Sequence, residues 1–313
     1  MKAPLISVIL CTHNPTEAYL RETLAALETQ TLPLGDWELL IIDNASTPSV
    51  ASRFDVAFHP AGRIIHEETL GLTQARLRGI AESRAGILVF VDDDNILASD
   101  FLEQADAIGK NWPKIGAWGG QILPRFEVTP APWTKPYINA LAMRECDQDF
   151  WSNVPDDKYS LPCGAGMCVR RSVADAYIKA LRADPRRGAL DRRGASLVNG
   201  GDTDMAMTSY DLELGTGVFA ALKLTHLIPS RRVEKDYLLR LIESGTYSQV
   251  MLAYYRGVRP VRRSRSERLF DWYRHLHLES RIREFEQAKL RARETALRDI
   301  EKAERELAQQ PQT

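Results

Sequence analysis

The chain has 313 residues, of which 44% are hydrophobic and 27% are charged, as is usual for a globular protein with a sizeable core. Its formal net charge of -1 argues against a nucleic-acid-binding protein. No apolar run approaches the ~20 residues of a transmembrane helix, and the four cysteines form neither a CxxC pair nor a zinc-binding pattern. We therefore expect a cytoplasmic protein with reduced thiols and no signal peptide.

Short apolar runs alternate with helical patterns in the first part of the chain. The runs at residues 5–11, 39–42 and 64–66 are predicted strands, and periodic apolar positions predict a helix over residues 71–83. Residues 87–91 are apolar without alternation, which is typical of a strand buried on both faces of a parallel sheet. This order predicts an α/β fold with a mostly parallel sheet flanked by helices.

Polar residues directly follow three of these predicted strands. Open α/β sheets bind ligands at the carboxyl ends of their strands, so these residues are candidates for a binding site. They are Thr12, His13 and Asn14 after the first strand, Asp43 after the second, and Asp92, Asp93 and Asp94 after residues 87–91. Three adjacent carboxylates repel one another, and a hard cation such as Mg²⁺ or Mn²⁺ is the usual remedy. The alternative is that they only cap turns and helices.

The pattern changes beyond residue 115. A strand is predicted over residues 116–123, and the aperiodic, proline-bearing segment 128–162, which contains Trp133, is typical of a functional loop or lid. Later elements are a glycine-entered strand at 164–169, a helix from Ser172, a basic loop over 182–193, a helix opened by residues 200–204, and a last strand at 218–224 followed by His226 and Arg231.

The C-terminal part is predicted to be helical. Two helices are expected at residues 233–241 and 247–255, followed by an arginine-rich segment at 256–268. Residues 269–307 contain no proline and form one long helix, or a helix with a break near Ser280. The loose apolar period favours a packing arm over a membrane-surface segment.

Taken together, these motifs resemble those of family 2 glycosyltransferases, and the similarity covers residues 5–232. The shared features are strands that end at Thr12 and Asp43, the run of three aspartates, the GAGM strand, and the GDTD start of a helix. The resemblance implies a GT-A domain over residues 1–232, with a donor half (1–115) and an acceptor half (116–232), and a helical extension over 233–313.

For the donor, the resemblance implies a nucleoside-diphosphate sugar, with UDP as the expected nucleotide. The residues implied to bind it are Thr12, His13, Asn14, Asp43, Arg76, Asp92, Asp93 and Arg231. Asp94, Asp92 and His226 are implied to hold Mg²⁺ or Mn²⁺. From the residues alone three alternatives stay open: an Asx-turn for Asp43, a solvated helix face for Arg76, and a structural role for His226.

For the acceptor, the resemblance implies a site floored by Gly164, Ala165, Gly166 and Met167, with Trp133 as a further contact. Asp202 matches the general base of an inverting transfer to a hydroxyl of a glycan, a lipid-linked sugar or another acceptor. The family usually carries Glu-Asp here, and this chain has Gly201 before Asp202. Synthesis of a polysaccharide, lipopolysaccharide or other glycoconjugate is the implied pathway.

Three other functions are weighed against this one. A nucleotidyltransferase needs a glycine-rich, lysine-bearing loop after its first strand, and THNPTEAY contains neither residue type. A non-catalytic nucleotide-sugar binder would explain Gly201, and a scaffold would act through its C-terminal helices. Those helices are expected either to touch a membrane peripherally or to form a homo-oligomer.

Overall fold

The computed structural model describes residues 3–155, 157, 159–194 and 196–309. Within these residues it contains nine strands and eight α-helices. The strands are β1 (Ile6–Thr12), β2 (Trp37–Asn44), β3 (Gly62–Glu67), β4 (Ile87–Asp92), β5 (Asn95–Leu97), β6 (Ile115–Phe126), β7 (Phe150–Ser152), β8 (Met167–Arg170) and β9 (Gly215–Ile228). The helices are α1 (Glu17–Glu28), α2 (Leu72–Glu82), α3 (Phe101–Asn111), α4 (Arg171–Ala183), α5 (Gly201–Asp211), α6 (Lys235–Tyr255), α7 (Arg265–Leu276) and α8 (Ser280–Gln309).

All nine strands belong to one mixed sheet with the order β3-β2-β1-β4-β8-β6-β9-β5, and β7 pairs with β9. Parallel pairing is limited to β3-β2-β1-β4 and to β6-β9. In this register Thr12 lies opposite Asp43, and Cys11 lies opposite Asp92. The predicted α/β class is confirmed, and the polar residues after β1, β2 and β4 reach the same edge of the sheet.

The core lies on both faces of the sheet because its central strands are apolar on both sides. Every residue of β1 and β2 is buried. One apolar cluster contains Leu20 of α1 and Phe101 of α3, and the other contains Ile80 of α2 and Tyr177 of α4. The uninterrupted apolar runs of the sequence therefore correspond to doubly covered strands.

The last strand is longer than the sequence predicts. β9 extends over Gly215–Ile228 and follows β6 along its whole length, with a register shift between Gly120 and Gln121. His226 consequently lies within the strand, opposite Asn95 of β5, and not after the strand as the sequence suggested. The bulge lets both strands continue beyond the point where the apolar pattern weakens.

The prediction of two helices between residues 233 and 255 was wrong, because α6 is continuous. Gly245 lies inside it, where glycine costs about 1 kcal/mol relative to alanine. Burial on both sides of the glycine offsets that cost: Leu238 and Leu241 are buried before it, and Val250 and Met251 after it. A local helix-breaking signal is overridden here by packing.

The predicted break near Ser280 is confirmed, and α8 packs along α6. A stripe of apolar residues on α8 is buried, comprising Phe285, Ala288, Ala292, Ala296 and Ile300. The ring of Phe285 stacks on Tyr137 of the aperiodic segment, with centroids 3.7 Å apart. The extension therefore shares a core with the segment between β6 and β7.

Helix α7 has its polar side towards the protein and its apolar side outward. Asp271 and His275 are buried, at 8% and 9% exposure. Its large apolar side chains are 51–66% exposed, namely Leu269, Phe270, Trp272, Tyr273 and Leu276. Within the described part of the chain, no helix has both the length and the apolarity to span a bilayer.

Replacing Phe285 tests how much the packing of the extension on the rest of the molecule contributes to stability. We expect Phe285→Ala to lower the free energy of unfolding by about 3–5 kcal/mol, because it leaves a cavity beside Tyr137. Phe270→Ala is the matched control, since Phe270 is 65% exposed and should change stability little. Urea unfolding of both variants is the measurement, and equal effects would contradict the shared core.

Candidate active site

A cavity of about 530 Å³ opens at the carboxyl ends of β1 and β4. It is lined by the ends of these strands, by α2, by the segment between α4 and α5, and by residues around the end of β9. Among the predicted site residues it brings together Thr12, His13, Asn14, Arg76, Asp92, Asp93, Asp94, Gly164, Ala165, Asp202, His226 and Arg231. Twelve predicted site residues from distant parts of the sequence thus line the same cavity.

Asp94 is the best-paired of the three consecutive aspartates. It is 5% exposed, and its Oδ2 lies 2.9 Å from Nη1 of Arg232 and 3.5 Å from Nε2 of His226. Burial alone would raise the pKa of Asp94, but the contacts with His226 and Arg232 lower it to about 2. Asp94 is therefore a carboxylate at neutral pH.

Asp92 and Asp93 have the opposite tendency. Burial, followed by the charge of Asp94, raises the pKa of Asp93 to about 7, although the hydroxyl of Thr12 donates a hydrogen bond to its Oδ2. Burial and Asp94 also raise the pKa of Asp92. The cluster lowers its repulsion by keeping one carboxylate fully ionised and letting the others hold protons more readily.

Arg232 contacts both Asp94 and His226. Its Nη1 is 3.1 Å from His226 Nε2 as well as 2.9 Å from Asp94 Oδ2. Among the described residues, no group of three or more His, Cys, Asp or Glu side chains has a metal-holding arrangement. Oδ2 of Asp94 and Nε2 of His226 lie 3.5 Å apart and are atoms of the kinds that can ligate a divalent cation, and both contact the guanidinium of Arg232.

His13 and Asn14 line the cavity and also hold the loop after β2. Nδ1 of His13 lies 2.7 Å from the carbonyl oxygen of Asn44. Asn14 has a left-handed backbone with φ of 48°, which asparagine tolerates, and its Oδ1 accepts a hydrogen bond from the Thr47 amide at 2.8 Å. Both residues are exposed.

Asp43 lies outside the cavity. Its carboxylate accepts hydrogen bonds from the amides of Ser46, at 3.2 Å, and Val50, at 2.8 Å, and the residue is 1% exposed. The structure thus favours the loop-shaping alternative for Asp43, because both of its oxygens are engaged by the backbone of the following loop.

Three predicted acceptor residues also lie away from the cavity. Gly166 and Met167 are buried beneath it, with Met167 fully enclosed in the core. Trp133 packs near Phe285, and the guanidinium of Arg281 lies 4.9 Å from the centre of its ring. Only Gly164 and Ala165 of the GAGM motif line the cavity, because the chain turns into β8 immediately afterwards.

Arg76 is a buried site residue and not part of a solvated helix face. It is 5% exposed, and its Nη1 donates a 2.8 Å hydrogen bond to Oδ2 of Asp191. Burial would lower the pKa of Arg76, but the carboxylates of Asp191, Asp202 and Asp92 outweigh that effect and raise it. Arg76 therefore remains a cation inside the cavity wall.

Asp202 lies in the first turn of α5 and is oriented by backbone amides. Its Oδ2 accepts a 2.8 Å hydrogen bond from the amide of Gly164, and its Oδ1 accepts one of 2.8 Å from the amide of Thr203. The carboxylate is half-buried and borders the cavity. Such a fixed carboxylate can accept a proton from a bound hydroxyl group.

Asp204, two residues later, adds no unbalanced charge beside Asp202. It is fully buried, and Arg187 contacts both of its oxygens at 2.9 and 2.6 Å. Nη1 of Arg256, from the end of α6, lies 3.2 Å from Oδ1 of Asp204. Asp204 therefore joins α5 to the C-terminal extension.

The sequence reasoning missed several residues of the cavity, namely Tyr19, Asp191, Arg192, Tyr237 and Arg240. Asp191 was part of a predicted basic loop, and nothing in that local sequence distinguishes it from a surface aspartate. The only available signal was the presence of one acidic residue among the arginines of RRGALDRRG.

Asp93 offers a pH test of this electrostatic arrangement. Its folded-state pKa of about 7 exceeds the ordinary value, so its contribution to stability is complete below about pH 4 and is lost as the pH rises to about 7. We expect the stability of the wild type relative to Asp93→Asn to fall over that range.

Urea midpoints in EDTA at several pH values would measure this difference. The exposed Asp55, replaced by Asn, is the control for the substitution itself. A pH-independent difference for Asp93→Asn would contradict the assigned electrostatics.

Comparisons with known proteins identify the family of the chain. The family model for glycosyl transferase family 2 matches residues 7–175, which is more than half of the chain. The glycosyltransferase AglE of Haloferax volcanii is 34% identical over 136 residues, corresponding to 40% of this chain and 44% of AglE. The O-antigen biosynthesis protein RfbC of Myxococcus xanthus is 33% identical over 107 residues, which cover 33% of this chain and 8% of RfbC.

The matched stretch thus spans less than half the length of these curated relatives. A crystal structure of TarS from S. aureus aligns with a TM-score of 0.50 and 13% identity, covering 94% of this chain and 55% of TarS. At that identity the likeness concerns the fold alone. The family match, the sheet order and the TarS likeness lead to one conclusion: the chain is a member of glycosyltransferase family 2 with a GT-A fold.

Proposed function

We propose that this protein is an inverting glycosyltransferase that moves a sugar from a nucleoside-diphosphate donor to an acceptor hydroxyl. One observation carries the proposal: a single cavity holds an amide-fixed carboxylate, Asp202, together with the three aspartates after β4. A base and a separate, charge-balanced acidic cluster are what a single displacement with a diphosphate leaving group requires.

The donor would bind between the end of β1 and the arginines of the cavity. His13 presents an exposed imidazole that can stack on a base, and UDP is the nucleotide we expect. Arg192, Arg231 and Arg240 line the cavity with exposed side chains. Guanidinium groups suit phosphate oxygens because their planar donors match the geometry of the anion.

We also propose that the site takes Mg²⁺ or Mn²⁺. Asp94 and His226 would hold the ion, with Asp92 nearby in the same cavity and the remaining ligands supplied by diphosphate and water. When bound, the ion neutralises negative charge on the leaving diphosphate. Arg232, which now bridges Asp94 and His226, would then be free to contact phosphate oxygens.

Asp202 would remove the proton from the acceptor hydroxyl. That oxygen attacks the anomeric carbon on the face opposite the departing diphosphate, so one bond forms as the other breaks and the configuration inverts. Gly164 holds the carboxylate through its amide, and glycine is needed there because a Cβ would lie only 2.6 Å from Asp202 Oδ2. The acceptor would reach Asp202 from the part of the cavity that Gly164 and Ala165 line.

The names of two relatives support a proposal about the pathway. RfbC carries the name of an O-antigen biosynthesis protein, and AglE that of a glycosyltransferase. We propose a glycan, lipid-linked or other hydroxyl-bearing acceptor in the synthesis of a polysaccharide or glycoconjugate. The competing function is a nucleotide-sugar binder without turnover, which the absence of a carboxylate at Gly201 would suggest.

Titration calorimetry tests the donor site, with UDP, GDP and TDP added in Mn²⁺ or in EDTA. We expect metal-dependent binding of one nucleotide, UDP, and a loss of that binding in Asp94→Ala because the variant lacks a proposed metal ligand. Failure of all three nucleotides to bind would contradict the donor-site assignment.

The variant that tests catalysis is Asp202→Asn, which keeps the size of the side chain, removes the base and retains at most one of the two hydrogen bonds from the amides of Gly164 and Thr203. It should bind nucleotide like the wild type and lose about 10²–10⁴-fold in UDP release from a panel of UDP-glucose, UDP-galactose and UDP-N-acetylglucosamine. Wild-type binding without any release, with or without a candidate acceptor, would favour the non-catalytic binder.

The outward apolar side of α7 supports a proposal about location. We propose that α7 contacts an anionic membrane surface from the cytoplasmic side. Trp272 and Tyr273 are 60% and 59% exposed, and such rings prefer the interface between water and lipid. Arg265 is exposed and lies one helical turn before Leu269, where its guanidinium group can reach lipid phosphates, whereas Arg274 lies 3.5 Å from Glu286 of α8.

Vesicle sedimentation tests this contact. We expect the wild type to bind phosphatidylglycerol vesicles more tightly than phosphatidylcholine vesicles, and Trp272→Ser to weaken binding about tenfold, because an interfacial ring is lost. Trp151→Ser is the matched control, since Trp151 is 56% exposed but lies on β7. Dimerisation that Trp272→Ser abolishes, without any vesicle binding, would contradict the membrane assignment and indicate a second copy.

A further inference from the structure

The segment between α4 and α5 inserts one carboxylate into the cavity wall. Asp191 is 7% exposed, and its Oδ2 accepts hydrogen bonds from Arg76 at 2.8 Å and from the hydroxyl of Thr73 at 3.3 Å. The backbone around it is tied to both neighbouring helices. The amide of Leu72 donates to the carbonyl of Arg192, and the amide of Gly201 donates to the carbonyl of Leu190, each at 3.0 Å.

Gly201 provides the space for that carboxylate. A Cβ on Gly201 would lie 2.5 Å from Oδ2 and 2.9 Å from Cγ of Asp191, which is closer than real side chains approach. Any side chain at position 201 would therefore displace Asp191. The carboxylate lies where the side chain of the residue before Asp202 would otherwise begin.

Arg76 lies near both Asp191 and Asp202. Its Nη1 is held by Asp191, and its Nη2 lies 3.1 Å from the point where a Cβ on Gly164 would be. Oδ2 of Asp202 lies 2.6 Å from the same point. One nitrogen of the guanidinium thus faces Asp191, while the other lies beside the carboxylate of Asp202 without a hydrogen bond between them in the described structure.

We propose that Asp191 is a positioning residue that, by pairing with Arg76, keeps this guanidinium from capturing the carboxylate of Asp202. The proposal rests on the role of Asp202 as base given above. A buried cation needs a partner, and Asp202 offers one because its Oδ2 and the Nη2 of Arg76 lie 2.6 and 3.1 Å from the same point beside Gly164. A carboxylate that is paired with an arginine is a weaker base and turns away from an incoming hydroxyl.

The chain would therefore supply from a loop the second carboxylate that its helix lacks. Gly201 and Asp191 act together in this arrangement, because Asp191 can reach Arg76 only if position 201 has no side chain. The apparent defect before Asp202 is then no argument against catalysis.

The amide of Gly164 reports on this arrangement without any ligand, because it donates its hydrogen bond to Asp202 and not to Asp191. Its resonance in a ¹H–¹⁵N TROSY spectrum can be identified by its absence in Gly164→Ala. We expect it to shift in Asp191→Asn, and also in Gly201→Ala, where the new Cβ displaces the carboxylate but keeps its charge. Asp184→Asn is the matched control on the same segment and should leave the resonance in place.

A carboxylate swap completes the test. Asp191→Gly combined with Gly201→Glu moves the acidic group from the loop to the helix, and it should return the Gly164 resonance towards its wild-type position. In UDP release from the UDP-sugar panel, Asp191→Asn should lose about tenfold or more and the swap should recover most of that loss.

Two results would overturn the proposal: a Gly164 resonance that does not move in Asp191→Asn, or a folded swap variant that fails to restore it. The spectra need neither donor nor acceptor. They therefore decide the role of Asp191 even if the proposed transferase activity itself is not found.

Discussion

The site depends on balancing negative charge in a confined space. Asp92, Asp93 and Asp94 lie in one cavity with Asp202, and buried carboxylates cost several kcal/mol each unless they are paired or protonated. The protein meets this cost in two ways. Arginines from distant elements contact the carboxylates, as Arg232 does for Asp94. The raised pKa of Asp93 lets that group be partly protonated near neutral pH.

The strand ends within residues 1–115 could be predicted from the sequence because their signals are local. An apolar run followed by polar residues marks the end of a buried strand, and parallel pairing then brings Thr12, Asp92 and their neighbours to one edge. Asp43 follows the same pattern but is turned into the next loop by two backbone amides. Sequence pattern locates a strand end; it does not say which way the side chain of its last residue points.

The remaining parts depend on contacts between residues far apart in the chain. Asp191 gains its role from Arg76, which is 115 residues away, and from the missing side chain of Gly201. In the extension, periodicity could show that α7 has an apolar side but not that this side faces outward. Likewise Gly245 carries a helix-breaking signal that is overridden only by the burial of residues on both sides of it.

The contact between Arg256 and Asp204 bears on how this protein could be divided. The family match ends at residue 175, before Asp202 and His226, and the GT-A resemblance ends at 232. Yet Asp204, in the first turn of the helix that carries Asp202, is partly neutralised by the guanidinium of Arg256, the residue that follows α6. The boundaries at residues 175 and 232, which are drawn from sequence, therefore do not separate independent parts of the structure. Domain exchange with a relative would have to transfer the C-terminal extension as well, or provide another cation for the helix that carries Asp202.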